Sequence, residues 1–269
     1  MKTYEKVIEI LKNTVFFKWN PGKELITLCA SYIAVFGFLA SATFIATPSR
    51  GGLYFLLYGV GAAAIAGIGI PVIWTTLIRK KSIQELGITF KNWKTSLVLQ
   101  AIFVIPQLSK VISSINSSTP ETVLPLAALA LAIGFFEAVF WRGWILQALE
   151  RAFGIIPAII VGAALYSVYH MGYGMNMSEM AFLFFIGVIF AVSFLLTRNV
   201  LILWPVFQPS GQLITVIDDG LALPFIAIVG FIEVFVLMVV ILVFFERRRR
   251  KSLAKEEAAQ TLRAGRLPA

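Results

Sequence analysis

The chain has 269 residues, of which 59% are hydrophobic and 14% charged, with a formal net charge of +9 and a mean hydropathy of +0.86. A soluble core cannot hide so much apolar surface, so the composition excludes an ordinary soluble domain and points to an all-α, polytopic transmembrane helix bundle. A single cysteine, Cys29, excludes a disulfide framework, and a single histidine, His170, excludes zinc sites made of two or three imidazoles.

Residues 1–23 form an amphipathic N-terminal segment. Tyr4, Val7, Ile8, Leu11 and Val15 recur at steps of three and four with lysines on the other faces, which predicts an interfacial helix over residues 1–17. The Pro-Gly turn of WNPGK, Trp19–Lys23, ends it. Five lysines and no cleavable apolar core with a small-residue exit argue against a secretory signal peptide.

Eight apolar runs follow, at 25–46, 53–78, 95–112, 123–149, 155–175, 179–197, 200–217 and 221–245. Each approaches the roughly 20 residues that a span requires. The transmembrane domain therefore covers residues 24–246, and its polar core lies in 123–217. Basic residues gather in the N-terminal segment, in the loop 79–94 (Arg79, Lys80, Lys81, Lys91 and Lys94) and in the run RRRRK at 247–251. The other side of the membrane holds Arg50, Glu121 and the pair Asp218–Asp219. That asymmetry predicts both termini in the cytoplasm, and only an even number of spans keeps the basic ends together.

Basic residues placed at the ends of apolar runs are unlike a nucleic-acid face, so no nucleic-acid partner is expected. The segment KSIQELGITFKNW, 81–93, is expected at the cytoplasmic interface, and the tail 247–269 as a frayed helix or disorder. Its basic run suits anchoring to anionic lipids. No internal repeat suggests the paired halves of a transporter.

Charged and polar residues inside spans are costly and mark either a function or a buried structural pair. Glu137 and Arg142 lie in the fourth span, in GFFEAVFWRGW. Five residues apart on an α-helix, they are not same-face neighbours, and the residue one turn before Arg142 is Ala138. The fifth span carries Tyr166 and His170 at i, i+4, and the seventh carries Gln208 and Gln212 at i, i+4 in a stretch broken by Pro205, Pro209 and Gly211. A carboxylate, an imidazole and two amides on inward faces make up a polar chamber. The carboxylate suits a general base acting on water, and the imidazole or amides suit an oxyanion of an attacked peptide carbonyl.

The order of these motifs resembles the CPBP family, the CAAX-type proteases and bacteriocin-processing enzymes also called the Abi group. Besides the three motifs, the eight spans and the ELGI segment at 85–88 carry the resemblance. It implies an intramembrane endopeptidase that hydrolyses a peptide bond near the cytoplasmic face of, by implication, a prokaryotic plasma membrane, with a peptide or protein as substrate. By resemblance Glu137 activates the water, His170 polarises the carbonyl or places the water, and Arg142, followed by Gly143, supports the first motif.

Gln208 and Gln212 stand where the family has His and Asn or Asp, as oxyanion or water-positioning groups, and Ala138 stands where it has a second glutamate. Zinc is implied by the resemblance alone, with Glu137 and His170 as its ligands. One Glu and one His are too few for a convincing zinc site, so no cofactor is expected.

The substitutions at Ala138, Gln208 and Gln212 equally suit a homologue that keeps the fold as a membrane binding or immunity partner. A transporter reading rests on Lys110 in the third span and Glu233 in the eighth. Glu233 is also the expected replacement partner of Arg142.

Overall fold

The structure, a computed structural model, describes residues 17–46 and 51–264; the expected interfacial helix at 1–17 lies almost wholly outside these. Among the described residues there is no strand. Seven helices are long and apolar enough to cross a membrane. They are α1 (Lys23–Ala46), α2 (Gly51–Ile78), α3 (Trp93–Asn116), α4 (Pro120–Phe153), α5 (Ile155–Tyr173), α6 (Met177–Thr197) and α8 (Ala227–Ala264). The shorter α7 (Phe207–Asp218) lies between the last two.

Local chemistry sets several helix boundaries. Pro120 opens α4 at a position where its missing N–H costs nothing. Asn176 caps α6: its Oδ1 accepts from Ser178 N at 2.9 Å and Glu179 N at 3.1 Å, while Glu179 Oε2 accepts from Asn176 N at 2.7 Å. Small residues line α2, and a Cβ on Gly67 would lie 2.1 Å from the Phe136 ring, so the bare backbone there lets that ring of α4 seat against α2. Large apolar side chains such as Ile33, Phe44, Phe182, Phe185, Ile232 and Val236 are exposed on the outside, as expected of a surface solvated by lipid.

The seventh apolar run, 200–217, folds differently from the rest. A short 3₁₀ turn, Val200–Ile202, and further turns lead into α7. Carbonyls freed by this break find donors on α3: Gln100 Nε2 bonds Leu201 O at 2.9 Å, and Gln107 Nε2 bonds Phe207 O at 2.8 Å. Trp204 Nε1 donates to Leu131 O at 2.9 Å. Broken backbone at membrane depth is tolerated because such partners replace the missing helical ones.

Ion pairs sort the helix ends into two faces. Glu24 at the start of α1 pairs with Arg79 at 3.2 Å and Arg151 at 2.8 Å, at the ends of α2 and α4. Glu150 pairs with Arg198, just past α6, and Lys80 pairs with Glu256 of α8 at 2.5 Å. On the opposite face, Lys110 of α3 pairs with Asp218 at the end of α7 at 2.8 Å. Within the bundle the run 200–218 therefore leads from the first face toward the second, and α8 returns to the first.

Two expectations change. The segment 81–93 is more than an interfacial loop, because its turn Ile83–Leu86 buries Leu86 against α4. The tail continues α8 as a helix to Ala264. At about 1.5 Å per residue its 38 residues span about 57 Å, well beyond the hydrocarbon thickness.

Candidate active site

The centre of the site is α4. This helix is α-helical through Glu137 and then π-helical from Ala138 to Leu146. On an α-helix, five residues turn side chains about 140° apart. In π-register the hydrogen bonds run i→i+5, so residue i+5 sits roughly one turn above residue i. Arg142 consequently follows Glu137 along one side of the helix, which corrects the α-helical expectation that the two face apart. No hydrogen bond or ion pair joins the two among the described residues.

Glu137 is buried, at 2% exposure. Its Oε2 accepts hydrogen bonds from Gln208 Nε2 at 2.6 Å and Gln212 Nε2 at 2.9 Å. Only the NH₂ end of an amide can bond a carboxylate, so the carboxylate fixes the orientation of both glutamines. Gly134 brings α7 this close: a Cβ there would lie 2.9 Å from Pro209 Cγ and 3.2 Å from Gln212 Oε1. Each amide nitrogen keeps a second N–H, and Glu137 Oε1 accepts no hydrogen bond among the described residues.

Arg142 is 1% exposed. Its guanidinium lies over the Tyr166 ring at 5.0 Å and the Phe190 ring at 5.8 Å. Nη1 and Nη2 have no hydrogen-bond partner among the described residues.

The His170 ring packs against the same Tyr166, with centroids 4.8 Å apart, and against Tyr169 and Tyr173. Its Nδ1 lies 2.7 Å from Tyr166 O. A carbonyl only accepts, so Nδ1 carries the proton, and Nε2 of the neutral ring is left as an acceptor. His170 forms no hydrogen bond with Glu137 among the described residues. The structure thus joins Glu137, Gln208 and Gln212 directly and packs both Arg142 and His170 against Tyr166.

Several contributors to this region escape motif reading. Tyr173 Oη bonds Tyr58 Oη at 2.6 Å and Tyr169 Oη at 2.8 Å, a hydroxyl chain across α2 and α5. Its only sequence signal is the density of tyrosines around His170. Gly143 is needed because a Cβ there would sit 2.2 Å from Leu86 O, so the ELGI segment packs onto α4 one residue beyond Arg142.

Glu233 is exposed on the outer face of α8 and has no ion-pair partner among the described residues. That overturns its expected pairing with Arg142, which lies against α5 and α6. Lys110 is paired with Asp218 at a helix end. Neither residue that suggested a transport path lines the interior around Glu137.

Among the described residues no three His, Cys, Asp or Glu side chains converge to hold a metal ion. Glu137 is instead bonded by two amide N–H donors, and one carboxylate with one imidazole is fewer than the three or four protein ligands that zinc takes. This donor set does not fit a zinc site.

Residues 119–207, about a third of the chain, match the family model described as type II CAAX prenyl endopeptidase Rce1-like. No curated protein matches the chain significantly. The matched segment contains Glu137, Arg142, Tyr166 and His170 and ends immediately before Gln208. It supports an endopeptidase within an integral, multi-pass membrane protein. Over these residues the chain is similar to the CAAX-type membrane proteases, the family to which the order of its motifs points.

Proposed function

We propose that the protein is a CPBP-type intramembrane endopeptidase in which Glu137 activates water for attack on a peptide carbonyl. One observation carries the reading: the Glu137 carboxylate, buried within the bundle, has one oxygen held by Gln208 and Gln212 and the other unbonded among the described residues. A base must be fixed in place yet keep an oxygen able to take a proton, and this arrangement provides both. The second N–H of Gln208 serves as a donor to the oxyanion that forms on attack, and the acceptor Nε2 of neutral His170 helps to place the water. No step requires a metal. The basic face of the bundle would lie in the cytoplasm, with the peptide entering from that side, and the basic run of α8 would bind anionic lipids.

The test compares wild type and Glu137→Gln in nanodiscs, with peptides bearing prenylated and unprenylated C-termini, with and without a chelator, and fragments read by mass spectrometry. The expected result is cleavage that survives chelation and falls by about 100-fold or more in Glu137→Gln, the range for loss of a general base. No cleavage by folded wild type would overturn the reading in favour of a binding homologue. Cleavage abolished by chelation would overturn the metal-free mechanism.

A further inference from the structure

Arg142, a cation at the centre of the bundle, forms no ion pair among the described residues. Arg142 is fully buried, its two terminal nitrogens have no hydrogen-bond partner among the described residues, and its contacts are two aromatic faces. A guanidinium does not shed its charge in a protein, so burial cannot neutralise it. Aromatic faces attract a cation but offer no lone pairs to the N–H groups. Removing one partner of a buried pair leaves the other uncompensated and is strongly unfavourable. The residue four before Arg142, where the family resemblance sets a second glutamate, is Ala138, and Glu233 is exposed elsewhere on the bundle. Glu137 is already bonded by Gln208 and Gln212, so among the described residues no carboxylate bonds the Arg142 guanidinium.

We infer that Arg142 is the receptor for a carboxylate of the substrate, and that this carboxylate lies within about two residues of the attacked amide. The distance follows from the helix. In π-register Arg142 stands about one turn from Glu137, about 5 Å along the axis, and extended peptide covers roughly 3.3–3.6 Å per residue. A planar guanidinium takes a carboxylate through two parallel N–H···O bonds, which would also fix the direction of the bound chain. The carboxylate has two sources, the free C-terminus of the peptide or an Asp or Glu side chain just beyond the scissile bond. This inference deepens the endopeptidase reading and rests on it for the position of the scissile bond.

The experiment measures peptide binding to purified Glu137→Gln protein in nanodiscs and, in parallel, cleavage by protein with Glu137 intact. Three peptides of one sequence are compared: a C-terminal acid, its C-terminal amide, and an amide carrying Glu within two residues after the scissile bond. At least tenfold tighter binding of one carboxylate-bearing peptide than of the plain amide is expected, and which of the two it is identifies the source. That preference is expected to collapse in Arg142→Gln and to persist in part in Arg142→Lys. It is also expected to collapse in Ala138→Glu, which supplies an internal carboxylate and keeps the test decisive if Arg142→Gln does not fold. Equal binding of acid and amide peptides, or a preference unchanged by Ala138→Glu, would overturn the inference. A carboxylate preference in binding, with no cleavage by the wild type, would support the Arg142 receptor and overturn the endopeptidase reading.

Discussion

Glu137 depends on its two amide partners more than on the motif that identifies it. A hydrogen bond to a charged acceptor contributes about 1.5–3 kcal/mol, and leaving that acceptor short of a donor inside the bundle costs a similar amount. Gln208→Leu keeps comparable bulk but removes the 2.6 Å bond to Oε2. The expected outcome is a loss of about 1.5–3 kcal/mol of stability together with a lower kcat/KM, because the carboxylate loses both its orientation and a nearby N–H donor. Thermal unfolding and peptide turnover, measured on the same preparation, check both. Unchanged turnover at reduced stability would show the amide to be a structural clamp only.

At this scale the sequence was informative about identity and silent about partnership. It offered a carboxylate, an imidazole and two amides in order along the chain. That the amides bond the carboxylate, while His170 turns to its own backbone, depends on Gly134 and on the break before α7. Those are tertiary facts with no local periodicity.

Among the elements, the π-register of α4 did most to separate expectation from structure. Side-chain spacing on a helix is read from 3.6 residues per turn, so Glu137 and Arg142 looked like residues on different faces. The change to i→i+5 bonding at Ala138 realigns them, and nothing in GFFEAVFWRGW announces it.

Gly143 lies within this stretch, and the turn Ile83–Leu86 rests on it. Gly143→Ala sets a Cβ 2.2 Å from Leu86 O, a backbone atom that no side-chain rotation can move aside. The turn or the helix must shift, at an expected cost of about 1–3 kcal/mol or more, and Arg142 shifts with it. By contrast, a Cβ on Gly37 of α1 meets nothing within 4 Å. Gly37→Ala is therefore the control, neutral or slightly stabilising because alanine gives up less backbone freedom on folding. Similar melting temperatures for the two variants would contradict the close packing of ELGI on α4.

The bundle as a whole is a sum of charges placed at the ends of apolar lengths, and this was the most legible part of the chain. Hydropathy located the passes because each needs about 20 apolar residues whatever its neighbours are. The exception, 200–218, is a 3₁₀ turn, a break and a 12-residue helix. Its freed carbonyls at Leu201 and Phe207 are satisfied by Gln100 and Gln107, which composition alone reads as ordinary polar residues.

Whether that broken element crosses the membrane decides the topology. If it crosses, Asn20 and Ser252 lie on one side, with Ser117 and Asp219 on the other. The pairs Lys80–Glu256 and Lys110–Asp218 mark the two opposite faces in the structure. Single cysteines at these four positions, introduced after Cys29→Ser, report the sides directly through a membrane-impermeant maleimide. In intact cells Ser117→Cys and Asp219→Cys are expected to label, with Asn20→Cys and Ser252→Cys labelling only after permeabilisation, if the basic face lies in the cytoplasm as proposed. Labelling of Asn20→Cys and Ser252→Cys on opposite sides would mean an odd number of passes. The run 200–218 would then be a re-entrant element, and Gln208 and Gln212 would reach Glu137 from the side on which they entered.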